Sequence, residues 1–91
     1  MEVNRTIEIG NKYGLHARSS TILAQTAQQY RASVRLARAS TGEEVDAKSI
    51  LAVLTLGAHK GEALSIRASG DDAEKAVEAL IQLIERNFGE E

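Results

Sequence analysis

Gly14-Leu15-His16-Ala17-Arg18 are the five residues of this chain best suited to chemistry. They stand where an alternating strand pattern gives way to a helical one. A residue directly ahead of Ala17 therefore occupies the N-cap, where the first helical N–H groups have no internal partner. Those donors and the helix dipole together form an anion site. The positive helix end disfavours an imidazolium, which leaves a neutral ring nitrogen of His16 to act as a nucleophile. A phosphoryl group received by that nitrogen would rest on the backbone N–H groups of Ala17 and Arg18, with the Arg18 guanidinium steadying its oxygens during transfer. Taken alone, however, a His-x-Arg sequence is more often a weak cap beside an exposed charge.

The second unusual segment is Lys48–Gly57. Ser49 precedes the apolar run Ile50-Leu51-Ala52-Val53-Leu54 and Gly57 follows it, so a Ser N-cap and a Gly terminator frame a helix of about two turns. The apolar residues are too dense for a short surface helix unless some face a partner, which makes Ile50, Leu51 and Leu54 candidates for a docking patch. The alternative is that all of them pack inward and Ser49 is only a cap. Lys48, with Lys12 and Arg18, would supply a basic rim around His16.

The elements that position these residues follow from periodicity. Val3, Ile7 and Ile9, with Arg5 in the same phase, alternate with Asn4, Thr6 and Glu8 as a half-buried strand that ends at the turn signal Gly10-Asn11. Ala17 to Tyr30 has a 3.6-residue apolar repeat and reads as a helix. Val34 and Leu36 alternate with Ser33 and Arg35, and Ser40-Thr41-Gly42 then turns the chain into a short strand, Glu43–Asp46, closing a hairpin. Glu62–Ser69 alternates again. Ala73, Ala76, Val77, Leu80, Ile81, Ile84 and Phe88 mark one face of a long last helix, with Asp71 and Glu74 spaced as a capping box. Gly89 is placed to end that helix, and Gly89–Glu91 read as a frayed tail. The order β-α-β-β-α-β-α gives an α+β domain whose helices cover one face of an antiparallel sheet.

Composition removes several classes of function. Ninety-one residues suffice for one compact domain, 1–91, and a formal net charge of −2 argues against a partner held mainly by counterion release, such as duplex DNA. Zero Cys excludes disulfides, thiolate metal sites and a Cys nucleophile. His16 and His59 are far apart in sequence, and His59 with Glu62 is too small a ligand set for a metal. The opening residues carry no apolar signal core, and the longest apolar run, Ile50–Leu54, is too short to span a bilayer, so the expected location is the cytoplasm.

The two motifs and their separation, together with the length and the element order, resemble the HPr family, the histidine-containing phosphocarriers of the bacterial phosphoenolpyruvate:sugar phosphotransferase system. The resemblance implies an open-faced β-sandwich, a four-stranded antiparallel sheet with three helices on one face. It implies that His16 accepts a phosphoryl group on Nδ1 from phospho-Enzyme I and passes it to Enzyme IIA or IIB components, with Arg18 assisting. Ser49 matches the serine that an HPr kinase/phosphorylase modifies in many bacteria, and Ile50, Leu51 and Leu54, with Lys48, match the docking surface beside it. Such a protein is a monomeric carrier, not an enzyme, and needs no cofactor, metal, nucleic acid or membrane insertion. A regulatory branch of the family, serving a nitrogen-type relay or Ser49 signalling, fits the same residues. Two positions depart from the family pattern: Ser19 stands where Pro is usual, and Tyr13 where small polar residues are common. Replacing Pro with Ser at Ser19 costs the first turn little, so the expected effect is slower or altered transfer at most. A different class, a small α+β module binding RNA or another ligand, shares the core element order. Such sheets stack bases on strand aromatics, whereas Tyr13, Tyr30 and Phe88 fall in a loop and two helices.

Overall fold

A computed structural model describes residues 1–90. The elements are β1 (Glu2–Glu8), α1 (Ala17–Ala27), β2 (Ser33–Arg38), β3 (Glu44–Asp46), α2 (Ile50–Leu56), β4 (Ala63–Ser69) and α3 (Ala73–Glu85), and a 3-10 turn follows over Asn87–Gly89. The strands form one antiparallel sheet in the order β1-β4-β2-β3. Three helices cover one face, as the resemblance implied, and β4 lies at the centre of the sheet between β1 and β2. Among the described residues no helix is long and apolar enough to cross a membrane.

Register explains which face is covered. Val3 lies opposite Ala68 and Ile7 opposite Leu64, while Leu36 is flanked by Ile66 and Val45. Residues directly opposite across a ladder share a face, so these apolar positions form one surface. The helices close over it with Leu23, Ala27, Val53, Ala73, Ala76, Val77, Leu80 and Ile84, all buried. The opposite face carries charge: Arg67 on β4 holds Glu2 of β1 at 2.6 Å and Glu44 of β3 at 2.6 Å. Arg5, in phase with the apolar face, sits on an edge strand and leans out to Glu78 of α3 at 3.7 Å, an exposed pair worth little to stability.

Both long helices are shorter than their periodicity suggests, for different reasons. α1 stops at Ala27, and the bonds Gln29 N–H to Thr26 and Tyr30 N–H to Ala27 tighten the chain into a turn. The next two N–H groups, of Arg31 and Ala32, are captured by the carboxylate of Asp72 at 2.9 and 2.8 Å. The expected Asp71–Glu74 capping box is therefore not formed: the N-cap of α3 is Asp72, and its side chain caps no helical N–H. It is already committed to two backbone donors that enter β2 without other partners. Gly70 beside it permits this close seam, because a Cβ there would lie 2.9 Å from the Cα of Ala32.

At its other end α3 stops at Glu85 instead of running through Phe88. Asn87 and Phe88 both take left-handed conformations, φ 53° and 59°, and the Phe88 ring is buried. A left-handed residue that is not Gly costs about 1–2 kcal/mol, and full burial of a Phe side chain contributes about 1.5–3 kcal/mol. Two such residues together cost about 2–4 kcal/mol, so burial of the Phe88 ring offsets much of the strain, and the turn it holds redirects the chain.

The Asp72 seam has a pH signature. N–H donation from Arg31, and then from Ala32, outweighs desolvation and holds the carboxyl below its usual range. A lowered folded-state value means the stabilisation is complete above the ordinary carboxylate range and disappears as pH falls through the folded value. Asp72→Ala should be less stable than the parent in urea at neutral pH. The difference should shrink steadily on titration to about pH 3. A gap that does not change with pH would show that the carboxylate charge is irrelevant to the seam.

Candidate functional site

The junction between β1 and α1 is built around one carbonyl. Gly14, at φ 64°, lies so close to the loop before β4 that a Cβ would collide with the Ala58 carbonyl and stand 2.9 Å from the Cα of His59. No other residue fits there. Leu15 N–H then donates to the same Ala58 carbonyl at 2.9 Å, and the Leu15 side chain is buried. The Gly14 carbonyl receives the Ser19 hydroxyl at 2.7 Å, the Asn11 side-chain amide at 2.8 Å and His16 N–H at 3.1 Å. Ser19 also accepts from His16 N–H at 3.0 Å, completing a capping box with His16 as N-cap of α1.

These constraints place the imidazole. His16 has extended backbone angles, φ −108° and ψ −172°, and its ring lies half-exposed over the first turn of α1. Nδ1 accepts from Arg18 N–H at 3.3 Å, while Nε2 is 2.7 Å from Oε2 of Glu90. The edge of the ring meets Tyr13, with centroids 6.0 Å apart and planes at 89°, and Lys12 lies over the Tyr13 ring. An N–H only donates and a carboxylate only accepts, so the two partners assign the tautomer: Nε2 carries the proton and Nδ1 the lone pair. Desolvation pushes the Glu90 carboxyl up, but hydrogen bonds from Asn11 and His16, with the charges of His16 and Arg18, more than compensate and hold it below the usual range. It is a carboxylate at neutral pH.

Glu90 is the residue the periodic reading missed. It was expected in a frayed tail, yet its carboxylate binds both Asn11 and His16, at 3.1 and 2.7 Å. Glu91 lies outside the described residues. The overlooked signal is Phe88, whose burial pins the turn that carries Glu90 back to the site. Ser19 was likewise undervalued. In place of a proline it supplies a buried hydroxyl that bonds to both Gly14 and His16.

α2 carries apolar side chains at the surface. Only Val53 of the helix is buried, while Ile50, Leu51 and Leu54 are 37%, 72% and 39% exposed. Ser49 is the N-cap, accepting from Ala52 N–H at 3.1 Å, and Gly57 ends the helix in the left-handed conformation. Lys48 does not join a rim around His16. Its amine donates to the Tyr30 carbonyl at 2.7 Å, and its carbonyl accepts from Gln28 at 2.8 Å, both beyond the far end of α1. Eleven residues of helix separate that end from His16, about 15 Å. His59 is exposed, and its N–H donates to a Glu62 carboxylate that also binds Arg38 at 3.0 Å.

The described face thus combines a histidine with an ordered lone pair at a helix N-terminus and apolar side chains exposed on α2, both carried by an open-faced α+β sandwich. Residues 3–86 match the family described as PTS HPr component phosphorylation site. The chain is 41% identical over 88 residues to the phosphocarrier protein HPr of Cupriavidus necator, covering 97% of each, and 38% identical over 91 residues to the phosphocarrier protein NPr of Escherichia coli K12, covering 100% of each. The structure superposes on HPr from Thermoanaerobacter tengcongensis with a TM-score of 0.91 at 42% identity, covering 98% of both chains. The chain belongs to the HPr family. It is a phosphocarrier of the phosphotransferase system, a substrate of that system's enzymes and not itself a catalyst.

Gly14 and Ser19 separate two kinds of loss at this junction. Gly14→Ala should destabilise the fold by about 2–4 kcal/mol, since left-handed strain adds to a backbone collision. Ser19→Ala should cost about 1–2 kcal/mol by removing one donor to Gly14 and one acceptor from His16 N–H. Chemical denaturation ranks them, and equal losses would contradict the steric account of Gly14.

Proposed function

We propose that His16 accepts the phosphoryl group on Nδ1, from phospho-Enzyme I, and that sugar-specific Enzyme IIA or IIB components receive it. The observation that carries this reading is the ring held between Arg18 N–H and Glu90, which directs the lone pair of Nδ1 toward the helix N-terminus. The lone pair attacks phosphorus, a bond from Nδ1 to phosphorus forms, and the bond to the donor nitrogen breaks with its electrons returning to the donor. The N–H groups of Ala17 and Arg18, at the start of α1, are placed to receive the phosphoryl oxygens, and Arg18 N–H transfers its bond from Nδ1 to one of them. The exposed Arg18 side chain supplies mobile positive charge during transfer. The protein works in this reading as one cytoplasmic domain, 1–91, and as a monomer.

Ile50, Leu51 and Leu54 form the docking surface for these partners, and Ser49 at its edge is a site of regulatory phosphorylation. A phosphate on Ser49 would lie about an α1 length from His16, beyond the ~8 Å screening distance of physiological salt. It therefore acts on the partner's approach and leaves the imidazole itself unaltered. An anion within an apolar contact must be desolvated on binding, which weakens docking.

His16→Ala should take up no acid-labile phosphate from phosphoenolpyruvate, Mg²⁺ and Enzyme I. Arg18→Ala should slow transfer by about 10²-fold, with an unchanged melting temperature. Labelled His16→Ala protein would overturn the assignment, and an Arg18→Ala protein that melts early yet transfers normally would make Arg18 structural.

Ser49→Asp preserves the N-cap and should melt with the parent, since Asp caps as well as Ser. Its phosphorylation by Enzyme I should show a raised KM and little change in kcat. Parental rates at limiting concentration would reduce Ser49 to a cap.

A further inference from the structure

We infer that Glu90 is a positioning residue for phosphoryl transfer: its carboxylate fixes His16 as the Nε2–H tautomer and keeps that proton on the ring while Nδ1 carries phosphate. This rests on His16 being the acceptor. Three features make the contact a built arrangement. Both carboxylate oxygens are used, Oε2 by His16 at 2.7 Å and Oε1 by Asn11 at 3.1 Å. Asn11 is itself buried and donates to Gly14, so the carboxylate is tied to the same carbonyl that sets the His16 backbone. Finally, two left-handed residues and the buried Phe88 ring hold the turn from which Glu90 reaches back.

The chemistry gives the proton a purpose. When Nδ1 attacks, the ring keeps its Nε2 proton and becomes a phosphoimidazolium, a single positive charge beside the carboxylate. In the next transfer the bond from Nδ1 to phosphorus breaks, its electron pair returns to Nδ1, and the ring departs as neutral imidazole. If the Nε2 proton has been lost, the ring must depart as an imidazolate, a far poorer leaving group. The surroundings otherwise disfavour the cation: the positive end of α1 and the Arg18 charge lie on one side, Lys12 over Tyr13 on another, and Lys60 lines the cleft that contains Glu90. Tyr13 meets the ring edge and carries no charge in its phenol form. Among the described residues, Glu90 is the anion hydrogen-bonded to the ring. It plays the part that a buried carboxylate plays behind a catalytic histidine, orienting the ring and stabilising its cation.

The test uses full-length protein labelled with ¹⁵N-histidine, in parent, Glu90→Gln and Glu90→Ala forms. In the unphosphorylated state, ring-nitrogen shifts should report the Nε2–H tautomer for the parent and for Glu90→Gln, whose amide oxygen still accepts. They should report a tautomer mixture for Glu90→Ala. In the phosphorylated state, ³¹P spectra should show phosphohistidine outliving the parent's by about three- to tenfold near pH 8 in both variants, because both lack the charge. The difference in lifetime should narrow as the pH is lowered. Parent-like tautomers and lifetimes in Glu90→Ala would overturn the inference while leaving His16 as acceptor. Phosphate retained by His16→Ala would overturn the acceptor reading and this inference with it.

Discussion

The site depends on the Gly14 carbonyl more than on any side chain. Three donors converge on it, from Asn11, Ser19 and His16, and each belongs to a different part of the junction between β1 and α1. Its position is forced from behind, because Gly14 is wedged against Ala58 and His59 in the loop before β4. The same contact therefore joins the central strand of the sheet to the start of α1. Buried hydrogen-bonded groups hold one another in place, and here the three donors do so although Oδ1 of Asn11 is left without a partner among the described residues. Here the rigidity is transmitted to a ring whose lone pair must point one way.

The helices differ in how much of the core they supply. α3 places Ala73, Ala76, Val77, Leu80, Leu83 and Ile84 in the core. α2 places only Val53 there. A seven-residue helix with one buried side chain is marginal by itself, so its cap at Ser49 and its left-handed end at Gly57 carry weight that longer helices can spare. What it offers in return is apolar surface that a partner can cover without first unpacking anything.

Much of this was legible in the sequence, and the boundary of legibility is physical. The motif at Gly14–Arg18 announces itself because strand, turn and helix signals meet there, and the Ser49–Gly57 helix because cap, apolar run and terminator are consecutive. Local patterns could not reveal that Asp72 prefers the N–H groups of Arg31 and Ala32 to its own helix, since those donors become available only once β2 is laid beside β4. Glu90 was hidden for a related reason. An apolar residue at position 88 continues the periodicity of α3 as well as it anchors a turn, and only the packed core decides between them. The position of Lys48 was misjudged because proximity to Ser49 in sequence says nothing about which end of α1 it meets.

The strand order also governs how the molecule assembles. β4, the central strand, is the last strand along the chain, so β1 has no partner until residues beyond position 62 are available to fold. Pairing across so long a separation is slow, and an unpaired strand is a template for joining another chain. β1 is spelled in a way that discourages that outcome: Glu2, Asn4, Arg5, Thr6 and Glu8 leave only Val3 and Ile7 as apolar residues within it. In the finished sheet β1 is an edge strand, where the same charges continue to repel intruders. One short polar sequence thus guards the chain during synthesis and after it.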